Sequence, residues 1–343
     1  MRRRAWPVDH VHGRLPLEAA ARIGRVVGPP GERIAWLDTE TTGLAGGTGT
    51  YVFLVGIGQF DDGEFVVTHY FLRDLGGERE MLEAVLEGLA PCDALVTFNG
   101  ARFDLPLLQT RFLLSRLRCD LEARHHLDLM TLARRLWHRR LGGYSLALLE
   151  QRILQVDRVD DVAGWMIPSL YVQYLQTGDP EVVEPVFAHN AADLLSLLSL
   201  HGMAGEVLTQ PQRIPAAVDW AGLGALLDAR GEPGKAADCY RRALLDEDQP
   251  APRRRVVTAL ARHYRRTGRL GDLLDLWEGE LQAGRLPRWL VLERLAMIWE
   301  WELGDASRAL LHTEQALAHL DGAAPARPRL LHRRARLLRK GGA

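Results

Sequence analysis

The sequence predicts an α/β domain built on one mixed sheet, followed by an all-α domain of helical repeats. Three observations carry this expectation. Between Arg33 and Leu72, three apolar strand-like runs follow one another, the last two joined by a hairpin signal. From there to about residue 208, helical and strand periodicities alternate, the pattern of helices packed around a sheet. Beyond "TQPQRIP" strand patterning vanishes, and related helical segments recur.

The first three runs are "RIAWLDTE", "TYVFLVGIGQF" and "EFVVTHYFL", and Asp61-Asp62-Gly63 between the last two is turn chemistry for an antiparallel hairpin. "EREMLEAVLEGLA" places Met81, Leu82, Val85, Leu86 and Leu89 on one helical face. "DALVTFNG" reads as a short buried strand that stops at Asn99-Gly100, and "LPLLQTRFLLSRL" as the helix behind it. "HHLDLMTLARRLWHRR" is a short strand leading into a helix. Helical spacing continues in "YSLALLEQRIL" and "SLYVQYLQTG", and "EVVEPVFAHNAADLLSLLSLHGMA" is a long helix. The expected organisation is an N-terminal extension over 1–30, an α/β domain over 31–208 and a helical domain over 209–343.

In the helical domain, "LGALLDARGEPGKAADCYRRAL", "LARHYRRTGRLGDLLDLWEGEL" and "LAMIWEWELGDASRALLHTEQAL" resemble one another. Their helix-breaking glycines, Gly231, Gly268 and Gly304, recur at 37 and 36 residues, close to the period of tetratricopeptide repeats. A plain helical bundle is the alternative reading.

With 343 residues, 47% hydrophobic and 25% charged, the composition is that of an ordinary globular protein. No run reads as the roughly 20 apolar residues that span a bilayer, and the basic start has no apolar segment behind it, so the expectation is a cytoplasmic protein without membrane contact. Cys92, Cys119 and Cys239 lack the spacing of a zinc site or a disulfide framework. The net charge of −1 hides an asymmetry: from Gln210 onward 23 basic residues face 17 acidic ones. Such a balance allows contact with phosphates without demanding it.

Asp38 and Glu40 lie two residues apart at the end of an apolar run, so an extended strand presents both carboxylates on one side. A bound cation is the natural compensation, although two acids at a strand end are also common on plain surfaces. Asp104 follows the buried strand that ends near Phe98, at a helix start facing the same sheet edge; helix capping explains it equally well. His189 and Asp193, four residues apart, share one face of the long helix. Four converging carboxylates suit hard divalent cations such as Mg2+ or Mn2+. Two such ions could activate a water and stabilise the leaving oxygen in phosphodiester hydrolysis, with His189 as the proton acceptor.

"WLDTETTGL", "TFNGARFD" and "HNAADLLSL", in this order, resemble the three motifs of the DEDD (DnaQ-like) 3′–5′ exonucleases, which have a ribonuclease-H-like fold. "HLDLMTLARRLW", "YSLALLEQRIL" and "DDVAGWMIPSLYVQYLQTGD" resemble the intervening blocks of the YprB-like branch. The resemblance spans roughly residues 30–205 and implies an exonuclease using two divalent cations. Asp38 resembles the acid that bridges both ions, and Glu40 one that binds the first and positions water. Asp193 resembles another ligand of the first ion, and Asp104 the acid serving the second. His189 departs from the superfamily, which usually places its His one residue further from the last Asp. The resemblance points toward DNA ahead of RNA as substrate, in repair or maintenance, and leaves room for a protein partner on the repeats, a helicase included. An RNA-directed exonuclease and a non-catalytic scaffold are the alternatives.

Weaker signals surround these motifs. The resemblance places Thr41, Thr42, Gly43 and Leu44 near a terminal nucleotide. Asn99 and Phe103 belong to the second motif and are better read as shaping the turn that holds Asp104. Asp128 reads as a helix cap ahead of a site acid. In "LARRLWHRR", Arg135 and Arg139 beside Trp137 form the mixture of cations and an aromatic found on nucleic-acid surfaces, and equally on a solvated helix end.

Overall fold

The computed structural model describes residues 1–43, 49–121, 123–214 and 218–341. They form two compact units, Met1–Asp219 and Trp220–Ala343.

The first unit is organised by a six-stranded sheet. Its strands are β1 (Arg2–Pro7), β4 (Ile34–Thr41), β5 (Val52–Asp61), β6 (Glu64–Phe71), β7 (Ala94–Thr97) and β8 (His125–Asp128), in the order β1-β6-β5-β4-β7-β8. A separate two-stranded ribbon pairs β2 (Val11–His12) with β3 (Leu15–Pro16). The pairs β1–β6, β6–β5 and β5–β4 are antiparallel, while β4–β7 and β7–β8 are parallel, so the sheet is mixed as expected. Asp62 and Gly63 both take positive φ in the β5–β6 turn, the geometry of a two-residue hairpin. Residues 1–30, expected only as an extension, supply the edge strand β1 and helix α1 (Leu17–Gly24), which packs on the long helix described below.

Helices cover both faces. One is lined by α2 (Glu78–Leu89) and α3 (Asp104–Leu114), joined by a later helix, α7 (Ile167–Thr177). Leu37, Phe53, Val55, Leu82, Val85, Leu95, Leu108, Phe112 and Tyr171 fill this side, with Tyr171 stacked on Phe53 at 4.1 Å between ring centroids. Its phenol donates to the Leu72 carbonyl at 2.9 Å, so the buried hydroxyl is satisfied. Between α3 and α7 come α4 (Leu129–Leu136), α5 (His138–Leu141) and α6 (Leu146–Leu149), the last running into a π-helical turn over Glu150–Leu154.

The other face is crossed by α8 (Glu184–Thr209). The segment Pro180–Thr209 has a mean hydropathy of 1.2 over its most apolar window and is long enough to cross a membrane, which corrects the expectation that no segment would pass that test. Yet 89% of that window is buried within the protein. A helix apolar on nearly every side is what a helix enclosed by sheet and neighbours requires.

The second unit, among its described residues, is entirely helical: α9 (Trp220–Ala229), α10 (Pro233–Leu245), α11 (Pro250–Arg266), α12 (Leu270–Ala283), α13 (Arg288–Trp301), α14 (Ala306–Ala318) and α15 (Arg327–Gly341). Gly231, Gly268 and Gly304 sit between the members of successive helix pairs with φ of 75°, 70° and 69°, a left-handed turn that a side chain disfavours. The break between units falls at Asp219/Trp220 rather than near 209, because Val218 is buried and the Asp219 amide donates to the Leu136 carbonyl at 2.7 Å.

Candidate metal centre

Strand β4 is apolar because it is central: Ile34, Ala35, Trp36 and Leu37 are all buried between the two helical layers. Asp38 and Glu40 are its first polar side chains on the α8 side, both half-buried. Directly after Glu40 the β4–β5 register shifts, so that Glu40 opposes Leu54 while Thr41 opposes Val52. An irregularity of this kind ends the regular pairing beside the acids and re-aims the chain into the following loop.

Helix α8 brings Asn190, His189 and Asp193 to the same place. Asn190 is fully buried and its Nδ2 donates to Asp38 Oδ2 at 2.8 Å. The space it needs is created by Gly56, which lies opposite Asp38 on β5; a Cβ there would come within 1.9 Å of Asn190 Oδ1. Sequence reasoning missed both residues. "HNAAD" offered Asn190 beside His189, whereas nothing local marks Gly56, whose role depends on a helix more than a hundred residues away.

Glu40, His189 and Asp193 each offer one ligand atom such that these atoms lie within 4.8 Å of one another, the spacing of groups that could share a cation. Asp38 and Asp104 join this cluster through charge. Burial pushes the Asp38 carboxyl well above the usual carboxylate range, and Asp193, Glu40 and Asp104 add to the effect against Arg158. Burial likewise raises Glu40 to about 8, with the charge of Asp193 adding and a hydrogen bond from Asn190 opposing. Asp104, buried at the first turn of α3, is raised to about 6 by burial despite a hydrogen bond from the Thr39 hydroxyl. Four acids are therefore held together with too little positive charge. Carboxylate oxygens with one imidazole fit a hard divalent cation, whose charge would reverse the desolvation and repulsion that now favour protonation.

Arg158, from the loop after the π-helical turn, is the cation already there. Its guanidinium contacts Glu150, Asp193 and Asp161, the last at 3.0 Å. Burial opposes its charge, but Asp193 and Glu150 outweigh burial and hold it protonated. Asp161 also meets His189 Nδ1 at 2.9 Å, which leaves His189 Nε2 facing Asp193 Oδ2 at 3.6 Å. Burial favours the neutral Asp161 carboxyl, but hydrogen bonds with His189 and Arg158 more than offset it and lower its pKa. Neither Arg158 nor Asp161 was singled out from sequence; Asp161 falls in the quoted "DDVAGW" block, and Arg158 carries no motif of its own.

Most of the remaining expected positions make contacts that shape the chain around the acids. Thr41 Oγ1 donates to the Gly43 carbonyl at 3.0 Å, and Thr42 Oγ1 accepts from the Tyr51 amide at 3.0 Å, so both side chains fasten the loop behind β4. Leu44 lies outside the described residues. Asn99 has a φ of 66° and Phe103 precedes α3 as its cap residue, which places both in the turn that presents Asp104. Asp128 caps α4 by accepting from Met130 N at 3.0 Å, and it also accepts from the amides of Asn99 and Ala101, tying that turn to β8. Arg135 and Arg139 are exposed, with Arg139 reaching Asp219 at 4.0 Å. Trp137, expected beside them on a nucleic-acid surface, is instead 1% exposed: α4 turns it inward with Leu136, so its own ring offers no stacking face there.

Comparison with known proteins agrees with the fold. The model of the RNase H superfamily matches residues 35–204, a span that runs from β4 through α8 and contains all five residues Asp38, Glu40, Asp104, His189 and Asp193. The chain is 30% identical over 311 residues to the uncharacterized protein YprB of Bacillus subtilis, covering 89% of this chain and 74% of YprB. Among solved structures it is similar to the family B DNA polymerase of the hyperthermophilic archaeon Pyrobaculum calidifontis, at a TM-score of 0.39 and 16% identity, over 63% of this chain and 30% of the polymerase. Mixed sheet, flanking helices and acidic cluster thus coincide with one family match and one long relative: the chain belongs to the RNase H superfamily.

Proposed function

We propose that the protein is a metal-dependent 3′–5′ exonuclease that hydrolyses phosphodiester bonds, on DNA ahead of RNA. The observation that carries this reading is the group formed by Glu40, His189 and Asp193, with Asp38 and Asp104 crowded electrostatically against it. Two divalent cations, Mg2+ or Mn2+, held by Asp38, Glu40, Asp104 and Asp193, would supply charge stabilisation to the attacking and leaving oxygens. His189, turned by Asp161 on its Nδ1, presents Nε2 to the site and takes the proton from the attacking water there. Asn190 holds the orientation of the Asp38 carboxyl through its amide. Arg158 keeps Asp193 and Asp161 in place and screens their charge from each other. Thr41, Thr42 and Gly43 lead away from the acids into the loop that would border a terminal nucleotide, a role proposed for Leu44 as well, and Arg135 and Arg139 present cations further along the surface.

We read the helix pairs of the second unit as tetratricopeptide-like repeats, supported by the left-handed glycines at their turns. Their proposed roles are holding nucleic acid or a protein partner. The test is incubation of the purified protein with end-labelled single- and double-stranded DNA and RNA, in Mg2+, Mn2+ or EDTA, beside Asp193→Ala. Stepwise shortening from the 3′ end that needs metal and Asp193 is the expected result. If no substrate shortens with either metal, or the variant cuts equally well, the reading fails.

A further inference from the structure

We propose that the face of α11 carrying Arg254, Arg255 and Arg262 is a docking surface for the phosphate backbone of a nucleic acid strand. The helix contains six arginines, and the structure divides them by role. Arg253 is buried: its Nε and Nη2 grip Glu280 at 2.9 and 2.5 Å, and its Nη1 donates to the carbonyls of Leu244 and Glu247. Arg265 pairs with Glu302 at 2.6 Å and Arg266 with Asp228 at 2.5 Å. Among the described residues, Arg254, Arg255 and Arg262 have no carboxylate partner, and all three are exposed.

These three line one open groove of about 550 Å³ together with Ala251, Thr258 and Ala259. Arg254, Thr258 and Arg262 are spaced by four, so they form a single row along the helix, about 12 Å from end to end. The alanines leave the floor low, and the locked Arg253 fixes the rotation that aims this row outward. Positive potential extends past α11. Arg294 on α13, half-buried, has its pKa lowered by burial first and then by the charges of Arg254, Arg329 and Arg265, against the attraction of Glu293.

Unpaired guanidinium forks set over small residues match a ligand with repeated negative charge and no need of an apolar anchor. Arginine pairs bidentately with phosphate oxygens, and such contacts supply sequence-independent affinity for nucleic acid. A peptide surface of this size would be expected to offer aromatic or large aliphatic side chains, and none lines this groove. The inference rests on the nuclease reading only for the choice of nucleic acid as the polyanion.

The test uses the full chain in EDTA, where cleavage plays no part, with fluorescein-labelled single-stranded and duplex DNA read by fluorescence anisotropy across a salt series. The triple variant Arg254→Ala/Arg255→Ala/Arg262→Ala is expected to bind about tenfold or more weaker at 100 mM salt. Its slope of log affinity against log salt should be shallower by about 2 on single strands. The triple lysine variant should retain most of the affinity, and the melting temperatures of all three proteins should agree, since the side chains are exposed. Unchanged affinity and slope in the folded alanine variant would overturn the proposal, as would displacement of DNA by polyglutamate as readily as by unlabelled DNA, which would assign the face to an acidic protein. A wild-type chain that binds by this face yet cuts nothing with Mg2+ or Mn2+ sinks the nuclease reading alone.

Discussion

Glu40 in the first unit and Glu300 in the second are both sheltered carboxylates, and their surroundings move them in opposite directions. For Glu300, burial favours the neutral form, but the hydrogen bond from Arg336 and the charges of Arg333, Arg336 and Lys340 outweigh it, and the pKa is lowered. For Glu40, burial acts in the same sense with other acids around it, and the pKa rises to about 8. The pattern holds beyond these two. In the second unit Glu280 meets Arg253 and Glu293 meets Arg329, each a carboxylate with its own cation. In the β4–α8 cluster Asp38, Glu40, Asp104 and Asp193 crowd together, and the Arg158 guanidinium that contacts Asp193 also serves Glu150 and Asp161. A buried acid with a private cation is holding the fold together; on the reading proposed above, acids crowded with acids are held for a ligand that brings charge.

The sharpest way to break that comparison is to remove an acid from the cluster and, separately, the private cation from a structural pair. Asp193→Ala is expected to lower cleavage by roughly a thousandfold or more, the scale of several kcal/mol of charge stabilisation, while the far-ultraviolet circular dichroism stays that of the folded chain. Arg253→Ala should do the reverse for stability: stranding a buried Glu280 costs about 3–5 kcal/mol, read as a lower denaturant midpoint of the second unit. If Asp193→Ala unfolded the protein and Arg253→Ala did not, the division into functional and structural acids would be wrong.

Gly56→Ala should come next in size. The added methyl would collide with Asn190 and release the amide from Asp38, so cleavage should fall about 10–100-fold, and Asn190→Ala should show a loss of similar size. Equal activity of either variant with the parent would show that the Asn190–Asp38 contact plays no part.

The smallest effect expected is on the pH dependence of stability. Carboxyl groups raised in the folded state contribute stability that is complete below their unfolded pKa and is lost as pH rises through the folded value. For Glu40 that window runs from about 4.5 to about 8, and for Asp104 from about 3.8 to about 6. Without metal, the melting temperature should therefore fall between pH 5 and pH 8.5 by roughly 5 °C. Mn2+ should raise it more at pH 8.5 than at pH 5.5, because it competes with protons for the same oxygens. Glu40→Gln should flatten the metal-free profile and abolish the Mn2+ difference, and a profile that kept its slope in this variant would remove Glu40 from the cluster.

Much of the fold is legible in local pattern. Alternation and turn chemistry reveal β4, β5, β6 and their hairpin, and 3.6-residue spacing reveals α2, α3 and α8, because the burial of one face is written into neighbouring residues. The edge strand β1 was not legible: "RRRAWP" buries only Trp6, so an edge strand lacks the apolar period that announces a central one. Trp137 was misplaced for a related reason, since "RRLWHRR" does not say which side of a short helix faces the sheet. In the site, Asp38, Glu40, Asp104, His189 and Asp193 stood out because carboxylates at a strand end and at helical spacing are conspicuous against an apolar background. Arg158, Asp161 and Gly56 did not, because each acts through a partner distant in sequence.

By itself, then, the sequence determined the central strands and the strongly periodic helices and which acids could meet at one sheet edge, since periodicity and chemistry are local properties. Only the tertiary structure decided which charges have private partners. It alone showed that Arg158 enters the acidic cluster, that Gly56 makes room for Asn190, and that of three consecutive arginines, Arg253 is locked inside while Arg254 and Arg255 face outward. The physical reason is that burial and pairing are properties of three-dimensional neighbourhoods, and a charge costs or contributes according to what stands beside it rather than what precedes it in the chain.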